Sequence, residues 1–302
     1  MTPPGSRTPA DDGPRVPDVP RGLAGWLRLR RAFAMHKLRW LVYSRPGIEA
    51  YVERTLQPQS FGWVFLLGVN NSGTTVLANV LEHHPMIRCM PWEGQDYTNA
   101  LPHPWDFGVA RLWTKEIDRF RWTEEEEAAD AVRVQYDWTL RYPAPPGFLF
   151  EKSPPNVLRS RWLQRHFQPA SFIAICRSPY AVCEGICRRT GVSVEEAATH
   201  WTVANDILLQ DMLHLERVTS CRYEELCDDP ESVLTRLSDF LGLEQRFTVD
   251  ALGDVEAHSM DGRTRGITNM NARSIERLSS DDIRAINRIA GSVMEAWGYE
   301  QL

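Results

Sequence analysis

The feature that most constrains the fold is a short apolar run that ends in a glycine and a polar turn. Residues 62–68 read GWVFLLG, which is typical of a buried strand. Residues 69–75 are polar, and residues 76–84 carry apolar side chains at helical spacing until Pro85 stops the pattern. A strand, a glycine-bounded turn and a helix in this order begin a βαβ unit.

Three further strands are predicted, and each runs directly into a polar or charged residue. They cover residues 147–150, 171–176 and 218–221, and are followed by Lys152, Arg177 and Tyr223. Helical patterns are predicted at 109–120, 124–140, 156–167, 180–189, 193–216, 231–241 and 279–297, with the four glutamates at 124–127 as a solvated first turn. Alternating strands and helices predict an α/β fold with a mostly parallel central sheet and helices on both faces.

The strand ends define one expected site. In open α/β sheets, ligands bind beyond the carboxyl ends of the strands, so residues 70–75 should meet Lys152, Arg177 and Tyr223 in one crevice. Residues 68–75 have the spacing of a Walker A loop, with Thr74 where the lysine should be. Main-chain N–H groups and the helix dipole still favour an anion here, but the missing lysine disfavours phosphoryl transfer.

Composition limits the other possibilities. The 302 residues are 43% hydrophobic and 25% charged, with a net charge of −6, which argues against a nucleic-acid partner. The six cysteines form no CxxC pair, so we expect no metal site and free thiols in a reducing, cytoplasmic compartment.

The chain is expected to divide into three parts. Residues 1–22 are rich in proline, glycine and charge, which predicts a disordered tail and no signal peptide. Residues 23–58 form a basic helical segment, and 59–302 a single α/β domain. Residues 23–44 either lie on an anionic membrane surface or pack on their own domain, and no run is long enough for a transmembrane helix.

Four blocks of sequence resemble the sulfotransferases, a family with a P-loop-containing nucleotide-hydrolase-like fold. NSGTTVLANVLEHHP, from residue 71, is similar to their 5′-phosphosulfate loop. EKSPPN at 151–156, CRSPYAVCEGICRR at 176–189 and CRYEELCDDP at 221–230 follow in the order seen in the tyrosylprotein group. The resemblance implies an EC 2.8.2-type enzyme that moves a sulfuryl group from 3′-phosphoadenosine 5′-phosphosulfate (PAPS) to a hydroxyl, without a metal.

The same resemblance implies a set of nucleotide-binding residues. Arg177 and Arg189 would hold the 3′-phosphate, Gly185 stands where the family usually has a serine, and a late loop would close over the nucleotide. The implied residues are Asn70, Asn71, Ser72, Gly73, Thr74, Thr75, Arg177, Gly185, Arg189, Tyr223, Ser259, Arg263 and Arg265.

Two residues are expected to carry the chemistry. The resemblance implies that Glu93 is the base and that Lys152 stabilises the negative charge on the leaving nucleotide. His83 and His84 are competing bases. Asn71 departs from the family, which usually has lysine or arginine before SGTT, so the charge at that point would have to come from elsewhere.

The acceptor stays open at this stage, and so does the oligomeric state. A small molecule, glycan or lipid is expected, with a peptide tyrosine as another candidate. Tryptophans 92, 105, 113, 122 and 138 either line an acceptor pocket or belong to the core. The alternative functions are a P-loop small-molecule kinase, disfavoured by the missing lysine, and a non-catalytic nucleotide-binding protein, favoured by Asn71 and Gly185.

Overall fold

The structure is a computed structural model that describes residues 38, 45–56, 61–90, 93–126, 131–140, 147–249 and 268–302. The strands are β1 (Gly62–Leu67), β2 (Ile87–Cys89), β3 (Phe148–Glu151), β4 (Ala170–Cys176) and β5 (Val218–Arg222). The helices are α1 (Arg45–Thr55), α2 (Thr74–Glu82), α3 (Ile117–Phe120), α4 (Ala131–Thr139), α5 (Ser160–His166), α6 (Pro179–Thr190), α7 (Val194–Met212), α8 (Tyr223–Asp228), α9 (Pro230–Leu241), α10 (Asn271–Ile275) and α11 (Ser280–Ala296). Short 3₁₀ turns cover Gly94–Tyr97, Pro104–Phe107, Trp113–Glu116 and Pro154–Leu158.

The strands form one parallel sheet in the order β2-β3-β1-β4-β5, which confirms the predicted α/β class. In register, Leu67 of β1 lies beside Ala174 of β4, and Phe65 lies beside Glu151 of β3. The chain leaves β1 towards β2 and β3 on one side and crosses to β4 and β5 on the other. The order therefore reverses beside β1, and this reversal opens the ligand crevice of such sheets at the loop after β1.

Alternate side chains of β1 enter two separate cores. Trp63 and Phe65 pack with α4 to α7 and α11 on one face, whereas Val64 and Leu66 pack with α2, α8 and α9 on the other. All six β1 residues are buried, which explains why the sequence shows a continuous apolar run instead of an alternating one. Helices thus cover both faces of the sheet, as predicted.

Several predicted elements differ from the structure. The edge strand β2 was not predicted, and the pattern at 109–120 forms a 3₁₀ turn followed by only four helical residues. Residues 124–126 form a turn outside any helix, so the interpretation of the glutamates as a first helical turn is wrong for them. Glu126 instead accepts hydrogen bonds from the main-chain N–H and hydroxyl of Thr123.

Some expectations fall outside the described residues. These are the tail at 1–22, the segment at 23–44 apart from Leu38, Trp92, and the late-loop residues Ser259, Arg263 and Arg265. Among the residues described, no helix is long and apolar enough to cross a membrane. All six cysteines lie within the described ranges and are free thiols. Trp113, Trp122 and Trp138 are buried in the main core, which favours a packing role over pocket lining, whereas Trp105 is exposed.

Candidate active site

The loop after β1 is shaped by two glycines that touch neighbouring elements. A Cβ on Gly68 would lie 2.7 Å from the carbonyl oxygen of Ile175 in β4. Gly73 has φ of 91°, and a Cβ there would lie 2.5 Å from the ring of Tyr223. Side chains are excluded at both positions, so the loop is pressed against β4 and α8 and delivers the chain into the first turn of α2.

Polar groups in this loop are buried without partners. Ser72 is fully buried, and its Oγ makes no hydrogen bond, as is also true of the Nδ2 of Asn71. The first N–H groups of α2 have no partners within their own helix, and the helix dipole makes this end positive. Thr74 is buried and Thr75 is exposed. The loop therefore has unused hydrogen-bonding capacity beside a positive helix end, which is what an anion requires.

Three arginines converge on Asn71, which has a left-handed φ of 70°. Arg177 Nη1 donates to the main-chain oxygen of Asn71 at 3.0 Å. The side-chain Oδ1 of Asn71 accepts from Arg189 Nη1 and, at 3.4 Å, from Arg111 Nη1. None of the three forms an ion pair with a carboxylate of the described residues, so their positive charge remains available to a ligand at the loop.

Arg177 and Tyr223 lie together beneath the loop, as the strand-end pattern predicts. The guanidinium carbon of Arg177 is 4.2 Å from the ring centre of Tyr223, and its Nε donates to Asn271 Oδ1 at 2.8 Å. Tyr223 is buried, and its hydroxyl donates to the carbonyl of Thr268 at 3.0 Å. Its ring supports Gly73 and Arg177, so its role in the structure is to position both.

The two departures from the family pattern touch each other. Gly185, in the buried face of α6, would place a Cβ 3.0 Å from Asn71 Nδ2. A side chain at 185 would therefore crowd the Asn71 amide, whose orientation is set by the two arginines that donate to its oxygen. Gly185 contributes to the site by leaving room for Asn71, not by contacting a ligand through a side chain.

Glu93 and Lys152 form the second part of the site, beyond β2 and β3. Lys152 Nζ lies 3.9 Å from Glu93 Oε1, and the side chains are 20% and 25% exposed. Gln95 Nε2 donates to Glu93 Oε2 at 2.7 Å. Burial raises the pKa of Glu93 to about 7, although Lys152 lowers it. A carboxyl that titrates near neutral pH beside a lysine suits proton abstraction.

A buried network holds the main chain next to Glu93. Glu151 Oε1 accepts from the Gly94 N–H at 2.7 Å, and Trp138 Nε1 donates to the Gly94 carbonyl at 2.9 Å. Ser153 and Asn156 also donate to Glu151, and burial raises the pKa of its carboxyl. The EKSPPN block thus contributes Lys152 to the site and also holds the main chain next to Glu93 through Glu151. The sequence did not reveal this role of Glu151.

The alternative bases have structural roles. The Nε2 of His84 forms a hydrogen bond with the main-chain oxygen of Gln245, and its Nδ1 accepts one from the main-chain N–H of Met86. His83 is exposed and bonds to the Asn79 carbonyl at 2.6 Å. Arg111, in contrast, was missed by sequence reasoning because it lies in the predicted helix at 109–120 and does not follow a predicted strand.

The sequence and the fold both resemble those of known proteins. Residues 64–247, more than half of the chain, match the Sulfotransferase family. Protein-tyrosine sulfotransferase 2 of Gallus gallus is 24% identical over 239 residues, which cover 74% of this chain and 60% of that protein. Protein-tyrosine sulfotransferase 1 of Danio rerio is 23% identical over 238 residues, which cover 74% and 63%. The chain thus spans less than two thirds of the length of these relatives.

The fold has a counterpart among solved structures. The sulfotransferase domain from the Synechococcus PCC 7002 olefin synthase superposes with a TM-score of 0.54 at 20% identity, over 82% of this chain and 98% of that domain. This likeness agrees with the P-loop-containing fold expected from the sequence.

Proposed function

The chain belongs to the sulfotransferase family, and we propose that it transfers a sulfuryl group from PAPS to a hydroxyl acceptor. The observation that carries this proposal is that three arginines, none in an ion pair with a carboxylate of the described residues, meet at a loop whose buried Ser72 hydroxyl is unpaired. This arrangement suits a ligand with more than one anionic group. PAPS has two, the 5′-phosphosulfate and the 3′-phosphate.

The residues present fit such a donor. The loop at 70–75 and the N-terminus of α2 would hold the 5′ end, where the helix dipole is positive and the buried Ser72 hydroxyl makes no hydrogen bond. Arg177 and Arg189 would hold the 3′-phosphate through charge-assisted hydrogen bonds. The loop carries no lysine, so it lacks the group that kinases place on the β- and γ-phosphates. Among the residues described, no cluster of carboxylate, histidine or cysteine side chains suits a metal ion.

PAPS supplies a sulfuryl group attached to a nucleotide that leaves readily. Glu93 removes the proton from the acceptor hydroxyl, for which its carboxyl is deprotonated above about pH 7. Lys152, next to Glu93, stabilises negative charge that develops during transfer. The network through Glu151 and Trp138 keeps the Glu93 segment in place, so that the base does not have to reorganise during the reaction.

The acceptor class remains part of the proposal. The relatives of known name act on protein tyrosines, which makes a tyrosine peptide one candidate. A small molecule, glycan or lipid, as expected from the sequence, is the other. We also propose a reducing, cytoplasmic environment, which the six free thiols support.

Nucleotide binding provides the first test. The protein is titrated with 3′,5′-adenosine bisphosphate and, separately, with ATP and magnesium, while its melting temperature is followed. We expect the bisphosphate to raise the melting temperature and ATP to have little effect. A response to ATP alone would refute the sulfotransferase function and favour the kinase alternative.

Transfer provides the second test. The protein is incubated with ³⁵S-labelled PAPS and a panel of tyrosine peptides, glycans, lipids and small phenols, and label in each product is counted. We expect one class to be labelled by the wild type and not by the Glu93→Gln variant. If the protein binds the bisphosphate but labels no acceptor class and releases no sulfate, it is better described as a non-catalytic nucleotide-binding protein.

A further inference from the structure

The phosphosulfate loop has no charge of its own. Residues 69–75 are Val, Asn, Asn, Ser, Gly, Thr and Thr, so their contribution to an anion is limited to hydrogen bonds and the helix dipole. A 5′-phosphosulfate carries two negative groups in immediate succession. Positive side chains must therefore come from other segments, and the described residues offer three at this point, Arg111, Arg177 and Arg189.

The three arginines come from different parts of the chain. Arg177 and Arg189 come from the end of β4 and from α6, and Arg177 is already held by Asn271, by the Tyr223 ring and by the main chain of Asn71. Arg111 comes from a third part of the chain, the segment that precedes the 3₁₀ turn Trp113–Glu116. It belongs neither to the end of β4 nor to α6, so it brings a further positive charge to the loop from a separate element.

The segment that carries Arg111 is docked on the loop itself. Trp113 is fully buried, and its Nε1 donates to the side-chain Oδ1 of Asn70 at 3.1 Å. Arg111 Nη1 donates to the neighbouring Asn71 at 3.4 Å. Two consecutive loop residues are thus contacted by one short stretch, which fixes the guanidinium at the loop.

Arg111 is partly desolvated beside other charged groups. Burial lowers the pKa of Arg111, the Glu93 carboxylate opposes this shift, and Arg188 adds to it. Burial, together with Arg111, Arg188 and Arg177, lowers the pKa of Arg189 to about 10, although Glu184 opposes the shift. These two partly desolvated guanidinium groups beside Asn71 form no ion pair with a carboxylate of the described residues, and they repel each other until an anion enters.

We propose, on the basis of the sulfotransferase function above, that Arg111 binds the sulfuryl end of the donor and supplies the positive charge that Asn71 lacks. The group that moves must lie between the loop, which holds the 5′ end, and Glu93, which holds the acceptor proton. Arg111 contacts Asn71 of the loop directly, and its segment is fixed to Asn70 through Trp113. Its guanidinium therefore recognises the sulfuryl oxygens and not the nucleoside.

The test compares two nucleotides that differ by the sulfuryl group. Dissociation constants for PAPS and for 3′,5′-adenosine bisphosphate are measured by calorimetry with the wild type, with Arg111→Gln and with Arg119→Gln. Arg119 is a matched control, because it lies eight residues further on and pairs with Glu116 at the surface. We expect Arg111→Gln to weaken PAPS binding by about 10- to 100-fold, as for loss of a charge-assisted hydrogen bond, and bisphosphate binding by less than about threefold. The control should leave both unchanged.

A second readout separates ligand binding from a structural role. Without nucleotide, Arg111→Gln should melt at the same temperature as the wild type or higher, because repulsion from Arg189 is relieved. A lower melting temperature, an equal loss for both nucleotides, or no loss for either would overturn the assignment of Arg111. A wild type that binds neither nucleotide would refute the proposed function itself, and the role of Arg111 with it.

Discussion

The coupling between Glu93 and Lys152 leads to a quantitative prediction about pH. The two charged atoms are 3.9 Å apart. Opposite unit charges at about 4 Å interact by about 1 kcal/mol in water and by about 4 kcal/mol at an effective dielectric constant of about 20. Both side chains are mostly buried, so the interaction should lie between these limits. At about 1.4 kcal/mol per pH unit, removal of the lysine charge should raise the pKa of Glu93 by about 1 to 3 units.

Lys152→Met is the perturbation, because it keeps the apolar stem and removes the charge. Lys115→Met is the control, since Lys115 pairs with the exposed Glu196 on the protein surface. The base must be deprotonated to act, so kcat/KM of the wild type should rise with pH and reach half of its maximum near pH 7. In Lys152→Met, this midpoint should move to higher pH, and the maximum rate should fall.

Protein stability reports the same titration without an acceptor. The folded-state pKa of Glu93 is raised from 4.5 to about 7, so the folded state binds the proton more tightly than the unfolded state. The free energy of unfolding therefore includes the full stabilisation from protonated Glu93 below pH 4.5, and this stabilisation is lost as the pH rises to 7. In Lys152→Met the loss should continue above pH 7. A midpoint that stays in place or moves to lower pH, in rate and in stability, would refute the coupling.

Three further outcomes are expected. Gly73→Ala should abolish nucleotide binding and lower the melting temperature, because the φ of Gly73 is 91° and the Tyr223 ring fills the space that a Cβ would need. The control Gly191→Ala, where φ is 74° but the space is open, should show only the backbone cost of about 1 kcal/mol. Equal effects of the two substitutions would show that the contact with the ring is unimportant. In urea unfolding, Glu93→Gln should stabilise the protein by up to about 3 kcal/mol at pH 8 and by much less at pH 4.5. If the variant is less stable than the wild type at pH 8, the pKa of Glu93 is not raised. Gly185→Ser should lower the melting temperature, because its Cβ would lie 3.0 Å from Asn71 Nδ2 and crowd that amide, and an unchanged or higher melting temperature would show that the Asn71 side chain can shift away.

The fold was largely predictable because its strands are buried on both faces. β1, β3, β4 and β5 show in the sequence as apolar runs that end in polar residues. β2 has only three residues, of which Ile87 is buried and Arg88 is exposed, so it leaves no apolar run. Its place at the sheet edge depends on pairing with β3, which no local pattern indicates.

The site was predictable where a residue follows a strand or belongs to a recognisable block. Arg177 and Tyr223 meet the loop for this reason, and Glu93 lies beside Lys152. Arg111 and Glu151 act through tertiary contacts with residues 40 and 57 positions away, at Asn71 and Gly94. Such contacts are set by packing between distant segments, and a single sequence contains no periodicity that reveals them.

The parallel sheet has a consequence for how the protein is made. Asn71 reaches its arginine partners at 177 and 189 across 106 and 118 positions of the chain. At a synthesis rate of about 5 to 20 residues per second, about 5 to 25 s pass between the synthesis of the loop and the synthesis of the α6 residues that pack beside it. A nascent chain that stops before α6 contains the loop but not Arg189, so the group of arginines at Asn71 is incomplete. The proposed nucleotide binding therefore requires a chain that has folded at least through α6.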